Sequence, residues 1–116
     1  MLVIQQPRNK FTKVSRQVLF NKELSLGAKV LYSTLCSLKP GQNYTDNYLI
    51  KALDISKPTL TRWKAELKKE DLVLIKQVHR NVFFTFVGLP DYPASRLYAE
   101  YQVHKKILEE GEVFED

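Results

Sequence analysis

The sequence predicts a mainly α fold with a small β-hairpin. Three observations carry this. Apolar residues recur at helical spacing behind good N-cap residues at Ser25, Thr45 and Ser56. Two β-rich runs, "DLVLIKQV" and "NVFFTFV", are joined by a short polar turn at His79-Arg80-Asn81. Hydrophobic residues make up 44% of the 116, enough for the core of one ordinary domain.

The elements follow in order. In "RNKFTKVSRQVLF", Phe11 and Val14 are expected to anchor the chain, and Ser15 to cap a short helical turn through Phe20. In "NKELSLGAKVLYSTLCSLKPG", Ser25 caps a helix whose apolar face is read as Leu26, Val30, Leu31, Leu35 and Leu38, stopped by Pro40-Gly41. Cys36 lies in this helix as a small packed side chain. Thr45 caps the next helix, Asp46 suits its positive end, and Leu49, Ala52 and Leu53 form its apolar face. Asp54 ends it in a left-handed turn, with Ile55 packing inward. Ser56 caps a third helix over about 57–69, with Pro58 in its first turn. The hairpin comes next. "LPDYPAS" is read as a linker, and "ASRLYAEYQVHKKILEEGE" as a final helix. Residues 1–90 are expected to be the folded domain, and 91–116 a linker, helix and acidic tail.

Composition narrows the function. No apolar run approaches a membrane span, and "MLVIQQPRNK" is too short and polar for a signal peptide. The single cysteine forms no internal disulfide and offers no zinc cluster, so a reducing cytoplasm is the expected home. Residues 1–90 carry fifteen Lys/Arg against six Asp/Glu, whereas 91–116 carry three against seven. A basic body with an acidic tail points to an anionic partner. No glycine-rich phosphate loop and no local Ser/His/Asp or Cys/His signature is present, so no enzyme, cofactor or metal site is expected.

Helix, helix, tight turn, helix and hairpin make a helix-turn-helix with a wing behind it. "YLIKALDISKPTLTRWKAELKKEDLVLIK" resembles the winged helix-turn-helix family of bacterial, phage and plasmid proteins. "FTKVSRQVLFNKELSLGAKVLYSTL" is similar to the lead-in of its phage and plasmid replication-type members. The resemblance spans about residues 11–88. It implies a winged helix-turn-helix plus a C-terminal helix. The family's turn often carries Gly where this chain has Asp54, and its third helix often has an apolar residue where this chain has Lys64. Trp63 is expected to take over that packing.

Such a unit places its third helix in the major groove, where base edges are distinct for each pair. Leu60, Trp63 and Leu67 share the inward face. Arg62 is the expected base reader, its fork matching guanine O6 and N7. Thr59 and Thr61 are assigned to bases or thymine methyls, and Lys57 and Lys64 to phosphates. Glu66 is expected to pair with Arg62 or Lys69 on the helix. Thr45 opens a helix whose N–H groups suit a phosphate, with Tyr44 and Asn47 beside it. Lys76, Arg80 and Asn81 are the wing contacts, with His79 as much turn chemistry as contact. Lys10, Lys13 and Arg16 are either flanking charge or plain surface.

The final helix carries Leu97, Tyr101, His104 and Leu108 at coiled-coil spacing, either packing on its own domain or pairing as a homodimer. The acidic end is expected to be disordered, to dock a partner protein or to shield the basic surface. The leading expectation is a cytoplasmic, nucleoid-associated transcriptional regulator that binds double-stranded DNA sequence-specifically. Two alternatives are a plasmid or phage replication-initiation factor at an origin, and a winged-helix module that docks a larger assembly.

Overall fold

The computed structural model describes residues 12–38, 44–80 and 82–114, with the side chains of His79 and of 107–114 outside that description. The elements are α1 (Arg16–Leu19), α2 (Leu26–Ser37), α3 (Asp46–Leu53), α4 (Lys57–Lys69), β1 (Val73–His79), β2 (Val82–Val87) and α5 (Ala94–Phe114). This is the helix-rich fold with a small antiparallel hairpin that the sequence predicts. The chain forms two compact units, Met1–Leu67 and Lys68–Asp116.

In the first unit, α1 is one turn long. Ser15 stands at its N-cap position, but its hydroxyl makes no cap bond. Val18 is its buried anchor, while Val14 is half-buried and Phe11 lies outside the described residues. Ser25 caps α2 as expected, its Oγ accepting the Ala28 N–H at 3.2 Å. The buried face of α2 differs from the sequence reading. It is Ala28, Leu31, Tyr32 and Leu35, an i, i+3, i+4, i+7 stripe. Leu26 is 80% exposed and Val30 49%. At roughly 100° per residue they lie about 140–180° around the helix from Leu35, so one helix cannot bury both sets. The helix ends at Ser37 with Leu38 as C-cap; Pro40 and Gly41, its expected stop, lie outside the described residues.

Cys36 is half-buried in α2. Burial pushes its thiol above its ordinary value, against a hydrogen bond with Tyr32 that lowers it. Burial likewise raises the Tyr32 hydroxyl. Cys36 is therefore a protonated, packed side chain at neutral pH.

Thr45 Oγ1 accepts the Tyr48 N–H at 3.1 Å and starts α3. Leu49 is buried and Leu53 half-buried, but Ala52 is exposed. The buried sector turns towards Ile50, itself half-buried, which leaves Ala52 on its outer edge. Asp54 adopts φ 54° and ψ 53°, the left-handed turn read from the sequence. The Ile55 N–H then returns to the Ile50 carbonyl at 3.1 Å, and Ile55 is half-buried. Ser56 Oγ accepts the Thr59 N–H at 3.4 Å, and α4 runs for 13 residues with Leu60 and Leu67 buried.

In the second unit, β1 and β2 pair from Val73↔Val87 to Gln77↔Phe83, with a bulge before His79↔Val82. Leu74, Lys76, Phe84 and Phe86 share one face, since cross-strand partners lie on the same side. This face meets α5. Phe84 lies 5.6 Å from Tyr101, and Phe86 lies 5.4 Å from Tyr98, ring centre to ring centre. Such pairs add about 0.5–1.5 kcal/mol each beyond area burial. Tyr101, placed in the coiled-coil stripe from sequence, thus packs on the hairpin. Leu97 is half-buried, His104 is exposed, and the Leu108 side chain lies outside the described residues.

The stretch read as a linker is a folded turn. Leu89 and Tyr92 exchange N–H···O bonds at 2.8 and 3.0 Å. Asp71, at φ 55°, then organises the start of α5. Its carbonyl accepts the Ala94 N–H at 2.9 Å, and its carboxylate accepts the Ser95 N–H at 3.0 Å and the Ser95 hydroxyl. The two left-handed aspartates therefore respond differently to glycine. Asp54→Gly relieves the backbone penalty and is expected to raise stability by about 0.5–1 kcal/mol. Asp71→Gly gains the same relief but strips a cap, and is expected to lower stability by about 1 kcal/mol net. Urea melts of the two variants check the opposite signs.

Candidate nucleic-acid interface

The candidate surface on the first unit is the outer side of α4. Three attachments hold the helix in place. Leu60 and Leu67 are 1% and 0% exposed. Trp63 lies against Gly27 on α2, where a Cβ on Gly27 would come within 1.9 Å of the indole. Glu66 is the third. Its Oε1 accepts the Ser25 N–H at 2.8 Å, and its Oε2 accepts the Ser25 hydroxyl at 2.7 Å.

This overturns the expectation that Glu66 pairs with Arg62 or Lys69 on its own helix. The reason lies at the N-terminus of α2. A capping box needs Glu or Gln three residues after the cap, and Ala28 stands there. Glu66, 41 residues further along the chain, reaches the same N–H. Arg62 contributes only its charge. The Ser25 hydroxyl and N–H, helped by that charge, hold the Glu66 carboxyl below the usual carboxylate range. A carboxyl lowered in the folded state stabilises above its unfolded value, about 4.3, and that contribution disappears as pH falls through the folded value. Glu66→Gln is therefore expected to be less stable than the parent at pH 7, with the gap closing from about pH 4.5 downwards. Denaturant midpoints across pH 3–7 measure it; a gap constant with pH contradicts the assignment.

The outer side carries three of the five α4 residues assigned to DNA. Lys57, Thr61 and Arg62 are exposed. The Thr61 hydroxyl donates to the Lys57 carbonyl at 3.1 Å. Its hydrogen is committed, so Oγ1 offers lone pairs, and its methyl remains for thymine. Thr59 is half-buried, and its hydroxyl lies 2.9 Å from that of Ser56. Lys64 is drawn inward. Its side chain is 18% exposed and its ammonium pairs with Asp46 on α3. The charge at this position finds a partner on another helix, while Trp63 packs against Gly27. Thr45 Oγ1 serves its own helix, and Asp46 stands beside that helix end, so the phosphate site read there has a carboxylate next to it. Tyr44 is half-buried, and Asn47, Lys13 and Arg16 are exposed.

On the second unit, the hairpin presents exposed Lys76 and Arg80. The Lys76 ammonium lies 5.5 Å over the Tyr98 ring, which draws it towards α5. Asn81, the His79 side chain and Lys10 lie outside the described residues.

Sequence reasoning missed the partners of Glu66 and Lys64. Each partner lies on another helix, and neither pair has a local spacing signature. The isolated Gly27 in an otherwise apolar helix was the available signal for the Trp63 contact.

Among the described residues, no helix is long and apolar enough to cross a membrane, and no group of three or more His, Cys, Asp or Glu is placed to hold a metal ion. No family model, no curated protein and no solved structure matches this chain.

Proposed function

We propose that this protein binds double-stranded DNA sequence-specifically, with α4 in the major groove and the β1–β2 hairpin as a basic wing, and acts as a small transcriptional regulator. One observation carries the reading. Lys57, Thr61 and Arg62 lie exposed on a helix whose opposite side is held by Leu60, Leu67 and Trp63, while Glu66 ties the edge next to Arg62 to Ser25. A reading helix needs this combination, because base contacts demand side chains on a rigid, pre-positioned element. The left-handed Asp54 between α3 and α4 supports it, since it makes the tight turn of a helix-turn-helix. Lys76 and Arg80 supply phosphate or minor-groove contacts from the wing. Such a role implies a cytoplasmic, nucleoid-associated protein.

A second reading keeps the DNA contact and changes the task to binding a plasmid or phage origin. The resemblance of "FTKVSRQVLFNKELSLGAKVLYSTL" to replication-type lead-ins favours it. Selection of duplexes from a random pool, followed by anisotropy titration across salt, tests both. The expected result is a selected motif bound with log K falling linearly in log salt, by about 0.9 per phosphate contacted. No salt-dependent binding to any duplex sinks both, and leaves the protein-docking alternative. Sites at promoters support regulation; repeated sites at an origin support replication.

A further inference from the structure

The hairpin tip combines two properties seldom found together on a surface. Val82, Phe83 and Phe84 are consecutive and exposed by 42%, 62% and 41%. Beside them stand exposed Gln77 and Arg80, with Lys76 on the α5 face, and residues 72–90 contain no Asp or Glu. Phe84 is partly engaged, since its ring meets Tyr101 and Phe86. Phe83 is not. Its partner in the register is Gln77, which puts it on the face opposite the one that meets α5. Among the described residues it pairs with no other ring. The backbone bulge between Gln77 and His79 adds twist just before the turn.

An exposed phenylalanine three residues from Arg80 at the tip suits one ligand chemistry well. Phosphates meet the cations, and the apolar faces of bases meet the ring. An acidic protein would satisfy the cations but offers no reason for the ring. A neutral apolar partner would bury Arg80 unpaired.

We propose that Phe83 is a DNA wedge: its ring enters a base step of the bound duplex from the minor groove while Arg80 at the turn holds a flanking phosphate. This rests on the duplex binding proposed above and adds a mechanical consequence. Partial unstacking by an apolar side chain kinks DNA by about 20–90°. Pyrimidine–purine steps unstack most readily, so such a step is expected beneath the wing.

The test uses the full chain and the selected duplex. 2-Aminopurine is placed at successive positions of the duplex, and end-labelled duplexes report bending by energy transfer. The parent protein is expected to brighten 2-aminopurine at one fixed flank position and to shorten the end-to-end distance. Phe83→Ala is expected to abolish both signals. Because stacking gained by the ring is offset by stacking lost between bases, affinity is expected to change by less than about tenfold. The salt slope is expected to stay unchanged. Phe83→Trp is expected to keep both signals. The Phe83 ring is exposed, so thermal melts of Phe83→Ala are expected to match the parent. A parent complex that binds its duplex without bending or brightening overturns the wedge and leaves DNA binding standing. The same follows if Phe83→Ala bends DNA as the parent does. A parent protein that binds no duplex overturns both.

Discussion

Gly27→Ala is expected to destabilise the protein by about 1–3 kcal/mol, against the usual direction of a glycine-to-alanine change in a helix. Two effects oppose each other at this position. Alanine restricts the unfolded chain and improves helix propensity, a gain of about 0.5–1 kcal/mol in mid-helix. The added methyl would stand 1.9 Å from Cε2 and 2.1 Å from Cζ2 of Trp63. Those lie far inside van der Waals contact, so the indole or the helix must move. The colliding atoms belong to the fused ring and not to a flexible tip, and overpacking of this kind typically costs 1–3 kcal/mol. The steric term wins. For a domain of this size, each kcal/mol lowers Tm by about 4–8 °C. Combining Gly27→Ala with Trp63→Leu removes the collision, and the double-mutant cycle is expected to show favourable coupling. A Gly27→Ala protein more stable than the parent would show that Trp63 does not pack there.

Arg62→Ala is expected to cost about 1–3 kcal/mol of discrimination at one base pair of the selected site, leaving binding to unrelated duplexes almost unchanged. Lys57→Ala is expected to do the reverse. It weakens binding to all duplexes alike and reduces the salt slope by about 1. The difference follows from chemistry. A guanidinium fork reads two acceptors on one base, whereas an ammonium at the start of α4 sees the phosphate charge, which is the same everywhere. Lys64→Ala separates position from charge. Its ammonium already pairs with Asp46, so the salt slope is expected to hold while thermal stability falls. Anisotropy titrations on matched and singly substituted duplexes between 50 and 200 mM salt, a span over which multi-phosphate binders lose much affinity, distinguish the three. Equal losses on every duplex for Arg62→Ala would remove it as the base reader.

Local chemistry was legible wherever the physics is local. Ser25, Thr45 and Ser56 cap their helices because each acceptor lies within three residues of its donor. The left-handed turn at Asp54 was readable for the same reason, and so was the hairpin. What went astray was orientation. Leu26 and Val30 have the right spacing for a core and lie outside it. Periodicity defines a helix's stripes but not which stripe finds a neighbour. α2 carries two candidate stripes, and only packing selects Ala28, Leu31, Tyr32 and Leu35. The "LPDYPAS" run looked like a linker because proline and glycine punctuate both loops and tight turns. Its backbone pairing is local, between Leu89 and Tyr92, but the Asp71 cap comes from 24 residues upstream of Ser95.

By itself, then, the sequence determined the starts of α2, α3 and α4, the turn, the hairpin and the charge on the outer side of α4. These depend on donors, acceptors and dihedral preferences within a few residues. It did not determine the end of α5, which runs to Phe114 through the acidic stretch expected to be disordered. Tertiary structure alone decided that Glu66 reaches Ser25, that Lys64 turns to Asp46, that Gly27 admits Trp63, and that Tyr98 and Tyr101 cover one hairpin face while Phe83 stays outside. Each of these joins residues far apart along the chain. A side chain's partner there depends on how whole elements pack, and no local spacing encodes that choice.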